Sequence, residues 1–477
     1  MVPARFVPIL EELAPLAARF ADAGHRLFLV GGAVRDLLVG VEGEHHDLDL
    51  TTDARPPAVK ALLGDWGHAV WTQGEKFGTI GAQRKRPDGT TRTLEITTFR
   101  SEAYADESRK PHVTFADEVE VDLSRRDFTV NAMALELVGG GADAALVDPY
   151  GGAADLATGT LRTPLAPEVS FDDDPLRMLR AARFIAGFGL QPVPDLVAAV
   201  EERRDRLEIV SAERIRDELD KLIVVDRPSA GLWFLVDTGL AEHFLPELPA
   251  LRLEHDPIHR HKDVLSHTIA VVENVTPLLG DFDFRITRLA ALFHDIGKPR
   301  TRGYQAGKGT TFHHHDVVGA RMTRKRMEAL RYPAADVAAV SELVFLHLRF
   351  HTYKMGWSDS AVRRYVRDAG ELLTELNVLT RCDCTTRDDR KATRLSRRMD
   401  ELEARIEELA TREELAAIRP ELDGMQVMEH LGIGPGPLVG EALAHLLEVR
   451  LDEGEIGHDE AVKRLDEWWS ARTAATS

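Results

Sequence analysis

The feature that most constrains this chain is a short apolar run that ends in two glycines and is followed by two carboxylates. Residues 29–36 read LVGGAVRD, and residues 47–49 read DLD. The apolar run predicts a buried strand, the glycines predict a turn that opens a helix, and the second segment predicts another strand. Because side chains alternate along a strand, Asp47 and Asp49 must point to the same side. The chain is therefore expected to contain a sheet with two carboxylates on one face.

This arrangement indicates phosphate chemistry. Two carboxylates on one side of a strand repel each other, and Mg²⁺ relieves that repulsion while it also binds phosphate oxygens. The turn at Gly31 and Gly32 exposes backbone N–H groups at a helix N-terminus, which suits a phosphate. Gly-Gly turns and Asp-x-Asp strand ends are each common without such a role. Together they predict a site for a nucleoside triphosphate, Mg²⁺ and phosphoryl transfer.

Composition limits the class of protein. With 477 residues, the chain is too long for one core, so two to four domains are expected. No apolar run reaches membrane-spanning length, and the N-terminus lacks a signal-peptide pattern. Cys382 and Cys384 flank one residue, which disfavours a disulfide, and no second pair exists to complete a zinc site. A cytoplasmic protein is expected. Its net charge of −19 argues against a generally basic coat but allows local RNA-binding surfaces.

The segments that follow extend the pattern of strands and helices. A helix is expected before residue 27, and residues 73–80 (QGEKFGTI) predict a turn into a strand. Residues 94–100 (LEITTFR) are rich in β-forming residues and place Glu95 on a strand. If that strand lies beside the strand of Asp47, Glu95 is a third carboxylate at the metals. Otherwise it is an ordinary residue at a sheet edge.

A basic and acidic cluster lies further along. Residues 122–134 (DLSRRDFTVNAMA) predict a passage from a loop into a helix, with Thr129 and Asn131 as capping residues. Asp127 follows two arginines and is expected to be a salt-bridged group near phosphate. The alternative is an exposed ion pair at a helix start, which would contribute little stability. A turn at residues 148–152 is expected to close the first domain.

Arginines at helical spacing occupy residues 172–184 (DDDPLRMLRAARF). Arg177, Arg180 and Arg183 recur every third residue and form one stripe along the predicted helix. Such a stripe is usually a solvated face. The pair Asp174 and Arg177 has a more specific use, because Asp accepts from an exocyclic amino group and Arg donates to a ring nitrogen or carbonyl. Cytosine and adenine both carry an amino group beside an acceptor, so this pair suits either base.

These segments resemble the class II tRNA nucleotidyltransferases, the CCA-adding enzymes that share ancestry with bacterial poly(A) polymerases. The resemblance rests on GGAVRD with DLD, RDFTVNA, DPLR and SAERIRDEL, which occur in the family's order over about the first half of the chain. The last motif also predicts a charged helix capped by Ser211. One departure is Asp173, where the family usually has Glu. That change is conservative.

The resemblance implies roles for the matching residues. Asp47 and Asp49 are expected to hold the catalytic Mg²⁺ ions, and Glu95 and Asp127 are the other residues of the expected catalytic group. The nucleotide-binding group is expected to be Gly31, Gly32, Arg35, Arg126, Asp174, Arg177, Arg180 and Arg183. The implied reaction is an in-line attack by the 3′-hydroxyl of tRNA on the α-phosphate of CTP or ATP, with release of pyrophosphate. The protein rather than a nucleic acid would serve as template.

Related activities are the alternatives to CCA addition. They are poly(A) polymerase and enzymes that add only CC or only A. Residues 74–80 (GEKFGTI) are similar to CCA-adding members, and the chain lacks the Arg-Arg-Phe type of signature typical of the polymerases. The sequence therefore favours CCA addition.

The second half carries a separate group of histidines and aspartates. An apolar segment runs into HDIGKP at residues 294–299, and imidazole and carboxylate ligands from separate helices suit a divalent metal. HDIGK resembles the HD superfamily of metal-dependent phosphohydrolases. That resemblance implies a ligand set of His267, His294, Asp295 and Asp383, with His315 and His347 as further candidates. The alternative is an HD fold that serves architecture and RNA docking without a metal.

The sequence thus predicts an α+β protein with a polymerase-β-like α/β head and all-α neck, HD and tail domains. The expected bounds are 1–165 for the head, 166–250 for the base-reading and RNA-binding neck, 251–400 for the HD domain and 401–477 for the helical tail. The charged stretch from residue 387 is either a solvated helix hairpin or a tail that grips tRNA. Other classes of function are a phosphohydrolase that binds nucleotide through its first half, and an RNA-binding protein with both sites inactive. The intact pair Asp47 and Asp49 argues against the last.

Overall fold

The computed structural model describes residues 4–40, 47–86, 88–103, 112–138, 144–252, 263–306, 309–352, 356–384, 389–413, 415 and 418–476. The chain divides into two compact units, Met1–Pro249 and Ala250–Ser477. The finer division into head, neck, HD domain and tail stays a prediction. None of the described helices is both long enough and apolar enough to cross a membrane.

A mixed sheet forms the centre of the first unit. The strands of this unit are β1 (Leu27–Val30), β2 (Asp47–Thr52), β3 (Ala69–Trp71), β4 (Thr79–Lys85), β5 (Thr91–Thr98), β6 (Arg100–Ala103), β7 (His112–Phe115), β8 (Ala134–Leu137), β9 (Ala144–Val147), β10 (Thr160–Leu161) and β11 (Gln191–Pro192). Seven of them form one sheet in the order β3-β4-β5-β2-β1-β8-β9. β2 and β5 run parallel, whereas the other neighbours run antiparallel. β6 pairs with β7, and β10 pairs with β11.

Helices flank this sheet and continue beyond it. They are α1 (Val7–Asp22), α2 (Gly32–Val39), α3 (Pro56–Gly64), α4 (Val119–Ser124), α5 (Gly152–Thr158), α6 (Pro167–Asp173), α7 (Leu176–Phe188), α8 (Pro194–Arg203), α9 (Ala212–Ile223) and α10 (Ser229–Asp237). Apolar side chains of α1 and of the strands share one core that includes Leu13, Leu29, Leu50 and Ile80. The predicted order of helix, strand, glycine turn, helix and carboxylate strand is confirmed.

The prediction for residues 122–134 was wrong. α4 ends at Ser124, a single 3₁₀ turn spans Thr129–Asn131, and β8 begins at Ala134. The backbone pairs with β1, where Val30 faces Ala134. This partner is far away in sequence, and long-range pairing overrides a local helix signal. Instead of capping a helix, Thr129 Oγ1 donates to Asp155 Oδ2 at 2.6 Å.

The helices after the sheet follow the predicted pattern with two differences. α7 begins directly after Pro175, as expected, and Arg177 in its arginine stripe is only 8% exposed. Ser211 occupies the N-cap position of α9, yet its side chain makes no capping hydrogen bond within the described residues. The parallel pair β10 and β11 shows that the region after the head is mostly helical rather than all-α.

The second unit is mainly helical. Its helices are α11 (Val264–Asn274), α12 (Phe284–Phe293), α13 (Lys298–Thr301), α14 (His315–Ala329), α15 (Ala334–Leu346), α16 (Arg349–Thr352), α17 (Asp359–Ala369), α18 (Leu373–Asp383), α19 (Asp389–Ala410), α20 (Gly424–Leu431), α21 (Pro437–Glu453) and α22 (His458–Thr476). A hairpin of β12 (Arg302–Gln305) and β13 (Gly309–Phe312) departs from the all-α prediction. α19 confirms the charged helix that was expected in this region. The expected start of that stretch, residue 387, lies outside the described residues.

Candidate active site and candidate metal centre

A row of carboxylates crosses two neighbouring strands of the sheet. Asp47 and Asp49 are exposed on one face of β2, whereas Leu48 between them is buried. Asp49 pairs in register with Glu95 on the parallel strand β5. The pKa of Asp49 lies above its ordinary value. Loss of hydration raises it, the positive charge of Arg126 lowers it in part, and the negative charge of Asp47 raises it further. Loss of hydration also raises the pKa of Glu95, with added repulsion from Asp49 and Asp47. A divalent cation at this row would relieve the repulsion.

The glycine turn lies beside this row. Gly31 adopts a φ of +73°, a conformation that strongly favours glycine, and a Cβ there would lie 3.0 Å from Arg126 Nη1. Gly32 begins α2, so the backbone N–H groups of its first turn are free to bind an anion. Arg126 Nε is buried and has no hydrogen-bond partner within the described residues. This orphaned donor, next to an anion-binding turn, fits a triphosphate.

A chain of buried hydrogen bonds connects α2 to α7. The guanidinium of Arg35 pairs with Asp36, lies over the ring of Phe188 at 4.1 Å and donates through Nη1 to Asn131 Oδ1 at 2.7 Å. Asn131 Nδ2 in turn donates to Asp127 Oδ1 at 3.0 Å. Arg180 Nε donates to Asp127 Oδ2 at 2.9 Å. The structure therefore places Arg35, Asp127 and Arg180 in one network behind the glycine turn.

Charge pairing stabilises the ionised form of these buried carboxylates. Burial raises the pKa of Asp127, but the charge of Arg180 and hydrogen bonds from Asn131 and Arg180 bring it down to about 2. Glu218 on α9 is similarly buried, and Arg183 Nε donates to its Oε2 at 2.8 Å. Burial raises the pKa of Glu218, whereas Arg183 and Arg180 lower it below its ordinary value. The predicted arginine stripe is thus held by two buried carboxylates.

Asp174 and Arg177 line a cleft of about 630 Å³ together with Glu95. Arg177 Nη1 donates to Ser170 Oγ at 2.8 Å, and its Nη2 donates to the backbone oxygen of Arg125 at 2.5 Å. Asp174 Oδ1 accepts from the backbone N–H of Leu176, and its Oδ2 lies 2.8 Å from Arg214. These contacts fix both side chains. The cleft therefore brings together the expected base-reading pair and one carboxylate of the row.

Some residues at the site were not predicted from sequence. Asn131 contacts Arg35 and Glu218 contacts Arg183, but the sequence predicted Asn131 only as a capping residue and indicated no role for Glu218. A buried polar residue within an otherwise apolar helical face was the available signal for Glu218. Trp71 and Gly81 line the same cleft from β3 and β4. No local pattern distinguishes them, because their proximity results from strand pairing.

A second cluster, in the second unit, gathers the predicted histidines and aspartates. His267 on α11, the pair His294–Asp295 after α12 and Asp383 at the end of α18 converge. His267 Nε2 lies 2.9 Å from Asp383 Oδ1, and His294 Nε2 lies 3.3 Å from Asp295 Oδ2. The ligand atoms of His267, His294 and Asp295 all lie within 4.8 Å of one another. Such spacing suits one metal ion.

The further candidates form a second ligand group that shares Asp295. The ligand atoms of Asp295, His315 and His347 again lie within 4.8 Å of one another. His315 Nε2 lies 3.5 Å from Asp295 Oδ1, the carboxylate oxygen that the first group leaves available. Asp295 is thus placed between two sites, with one oxygen towards each. This arrangement fits two ions bridged by a carboxylate.

Backbone carbonyls orient the imidazoles of this cluster. Nδ1 of His294, His315 and His347 lies 2.8 Å, 2.7 Å and 2.6 Å from the backbone oxygens of Ala291, Phe312 and Val344, respectively. A proton on each Nδ1 leaves Nε2 as the inward lone pair. Metal-binding histidines have this outer hydrogen bond in most proteins. The donor set therefore fits a divalent transition metal or Mg²⁺.

The electrostatics of the cluster favour a cation. Burial lowers the pKa of His294, but Asp295 and Asp383 raise it to about 10. Burial raises the pKa of Asp295, and the charges of His294 and Lys298 bring it well below its ordinary value. Lys298 Nζ lies 2.5 Å from Asp295 Oδ2. Two buried carboxylates thus attract positive charge, which a bound metal would supply in place of the imidazole proton.

Comparisons with known families match this division of the chain. The family model described as "Poly A polymerase head domain" matches residues 27–162. The model described as "Probable RNA and SrmB- binding site of polymerase A" matches residues 189–251, and the model described as "HD domain" matches residues 264–388. The fold, the carboxylate row and these matches define a nucleotidyltransferase with an HD domain.

Relatives specify the family further. An A-adding tRNA nucleotidyltransferase of Deinococcus radiodurans is 33% identical over 93% of this chain and 96% of its own. A CCA-adding enzyme of Lactobacillus gasseri is 34% identical, but over only 52% of this chain and 58% of its own. The crystal structure of the Bacillus stearothermophilus CCA-adding enzyme with CTP has a TM-score of 0.68 and 25% identity, with 100% of both chains covered. This chain belongs to the class II tRNA nucleotidyltransferase and poly(A) polymerase family, as its motifs predicted.

Proposed function

We propose that this chain adds CCA to the 3′ end of tRNA in the cytoplasm, using CTP and ATP and releasing pyrophosphate. The observation that carries the proposal is the cleft in which Asp174 and Arg177 lie with Glu95, one carboxylate of the row. A base held at that pair lies within reach of a phosphate at the row. Relatives that add C and A, or A alone, support the same reaction class.

Different residues of the head have different roles in the reaction. Asp47, Asp49 and Glu95 would hold two Mg²⁺ ions, which when bound would lower the pKa of the attacking hydroxyl and neutralise charge on the leaving phosphates. The turn at Gly31 and Gly32, with Arg126, binds the triphosphate. The 3′-oxygen of the RNA forms a bond to the α-phosphorus, the bond from that phosphorus to the bridging oxygen breaks, and the hydroxyl proton passes to water. Pyrophosphate leaves on the side of the glycine turn.

The base is selected by the fixed Asp174–Arg177 pair. Asp174 accepts the amino group of cytosine or adenine, and Arg177 donates to the adjacent ring nitrogen. Guanine and uracil present the opposite pattern at that edge, so an acceptor would face Asp174 and a donor would face Arg177. Because Arg177 is anchored by Ser170 and by the backbone of Arg125, its guanidinium need not reorganise to read the base.

A primer-extension assay tests the proposal. The protein is incubated with tRNA that lacks its 3′ end, Mg²⁺, and CTP and ATP singly or together, and the products are resolved at single nucleotides. We expect growth by three residues that stops at CCA. Asp174→Asn, which presents a donor where the wild type presents an acceptor, is expected to lower kcat/KM for CTP and ATP by about ten- to a hundredfold. UTP is expected to compete better with the variant than with the wild type.

Matched controls make the assay decisive. Asp172→Asn changes a half-exposed aspartate on α6 that pairs with Arg203 and Arg206 outside the cleft, so its selectivity should equal that of the wild type. Long A tails from ATP alone would instead identify a poly(A) polymerase. Failure to add any nucleotide would contradict the proposal.

Addition of A alone is the second candidate function. It is favoured by one observation: one curated relative that matches along nearly the whole chain is an A-adding enzyme, whereas the match to a Lactobacillus CCA-adding enzyme covers about half of this chain. A substrate already ending in CC separates the candidates. An A-adding enzyme extends only that tRNA, whereas a CCA-adding enzyme also extends tRNA that ends before the first C.

We further propose that the cluster of the second unit binds divalent metal and supports phosphohydrolase activity. The ligands are His267, His294, Asp295 and Asp383, with His315 and His347 in the second group. A metal held there would supply an activated water next to a phosphate ester. The two ligand groups that share Asp295 support this proposal.

Cobalt titration tests the metal centre. Co²⁺ added to the metal-free protein is expected to produce visible absorption bands from nitrogen and oxygen ligands, and His294→Ala is expected to abolish them. His458→Ala removes an exposed histidine at the start of α22 and should leave the bands unchanged. Asp49→Asn should also leave them unchanged, which separates the cluster from the head. Bands that persist in His294→Ala would contradict the assignment.

A further inference from the structure

The indole of Trp71 lies flat over Gly81 on the neighbouring strand. A Cβ built on Gly81 would lie 2.0 Å, 2.2 Å and 2.4 Å from Trp71 Cε2, Nε1 and Cζ2. Such similar distances to three bonded ring atoms arise when the glycine faces one surface of the ring rather than its edge. Trp71 is partly exposed and lines the cleft. Part of the ring is therefore open to a ligand in the cleft.

This aromatic surface continues the row of carboxylates. Trp71 pairs in register with Gly81, Gly81 with Glu95, and Glu95 with Asp49. Residues in register on adjacent strands point to the same face of a sheet. The ring over Gly81 is therefore two strand spacings, about 10 Å, from Asp49 on the catalytic face. β3, which carries Trp71, is the edge strand of the sheet.

The geometry of phosphoryl transfer determines which substrate reaches this surface. The glycine turn that suits the triphosphate follows β1, on one side of β2, and Glu95, Gly81 and Trp71 lie on the other side. Attacking and leaving oxygens are in line on opposite sides of the phosphorus. If pyrophosphate leaves towards the glycine turn, the attacking 3′-hydroxyl arrives from the side of Glu95. The RNA end rather than the triphosphate then lies over Gly81.

Other groups around this surface suit single-stranded RNA. Phe77, Arg100 and Arg125 line the same cleft. Aromatic side chains that stack bases, combined with basic side chains along the backbone, are the usual means of binding single strands. The aromatic and basic groups thus lie together at the open edge of the sheet, where an RNA end would enter.

We propose that Trp71 stacks on the base of the 3′-terminal nucleotide of the acceptor RNA and so positions its 3′-hydroxyl at the carboxylate row. The proposal rests on the proposed function, because it assigns the acceptor side of that reaction. Trp71 is a positioning residue that tolerates different bases, since every base offers a ring surface. This tolerance suits an acceptor whose terminal base changes after each addition.

Two substrates and three variants test the stacking. Trp71→Ala is expected to raise the KM for RNA about tenfold, with the KM for the nucleotide unchanged, and Trp71→Phe is expected to restore most of the affinity. Gly81→Ala should reproduce the loss, because its Cβ cannot coexist with the indole at 2.0 Å. On the wild type, an RNA whose terminal nucleotide lacks a base should bind about tenfold more weakly than normal RNA. On Trp71→Ala, the abasic RNA and the normal RNA should bind equally well.

A binding assay without nucleotide keeps this inference separate from the catalytic one. RNA that ends in 2-aminopurine should lose fluorescence on the wild type but not on Trp71→Ala, and Trp469→Ala in α22 should behave as the wild type. If quenching occurs but no nucleotide is added, the proposed function fails while the stacking stands. If Trp71→Ala weakens normal and abasic RNA equally, or raises the KM for the nucleotide instead, the indole only fills space over Gly81 and the inference is overturned.

Discussion

Replacing Asp49 by Asn is expected to abolish nucleotide addition while leaving the protein folded. The variant removes one carboxylate of the row formed with Asp47 and Glu95. Metal-bound charge contributes several kcal/mol to the transition state, which corresponds to a loss of roughly a thousandfold or more in kcat. Because the carboxylates repel each other, the melting temperature should stay the same or rise. The measurements are single-turnover rates with tRNA lacking its 3′ end, and thermal unfolding.

The control is Asp65→Asn, an exposed aspartate at the C-terminal end of α3. It makes the same change of charge on the same unit and should retain full activity. A variant at Asp49 that keeps more than a tenth of the wild-type rate would show that the row does not hold the catalytic metals.

The second large effect concerns stability. Asp127→Ala is expected to destabilise the first unit by about 3 kcal/mol, because it leaves the partly buried guanidinium of Arg180 without its closest partner. It also removes the acceptor of Asn131. Urea unfolding and hydrogen exchange at the amides of α7 measure the loss. Asp117→Ala is the matched control, since Asp117 pairs with Arg55 at 2.9 Å but is 86% exposed, and such pairs contribute less than about 1 kcal/mol.

The same carboxylate predicts a dependence on pH. The folded protein lowers the pKa of Asp127 from 3.8 to about 2, so the folded state keeps the charge after the unfolded state has taken up a proton. The resulting stabilisation, about 2 kcal/mol, is fully present above about pH 5 and is lost as the pH falls from about 4 to 2. Asp127→Ala should remove this part of the acid transition. An acid profile identical to that of the wild type would contradict the assigned pair.

The sequence predicted the local parts of the active site well. The strand, the glycine turn, α2 and the carboxylate strand all follow from patterns within about twenty residues of one another, and each occurs where it was expected. The place of Glu95 was left open because a strand pattern does not reveal which strand is its neighbour. The parallel pairing of β2 and β5 resolved that question in favour of adjacency to Asp49.

Predictions failed where a distant partner decides the local structure. The segment around Asp127 carries helix-capping residues, yet it forms one 3₁₀ turn and a strand because β1 provides the pairing partner. The sequence predicted the arginine stripe at the nucleotide, but not its partners Asp127 and Glu218, which arrive from other elements. Trp71 and Gly81 meet across strands. In each case the deciding contact joins residues that no periodicity connects.

The position of β1 has a consequence for how the enzyme is made. β1 lies between β2, which follows it closely in the chain, and β8, where Phe28 meets Glu136. Contacts of such long sequence separation form late in folding, because a large loop must close first. The catalytic face is therefore completed only after β8 has emerged from the ribosome. A nascent chain that stops before β8 would carry Asp47, Asp49 and Glu95 and still lack one of the two pairing partners of β1.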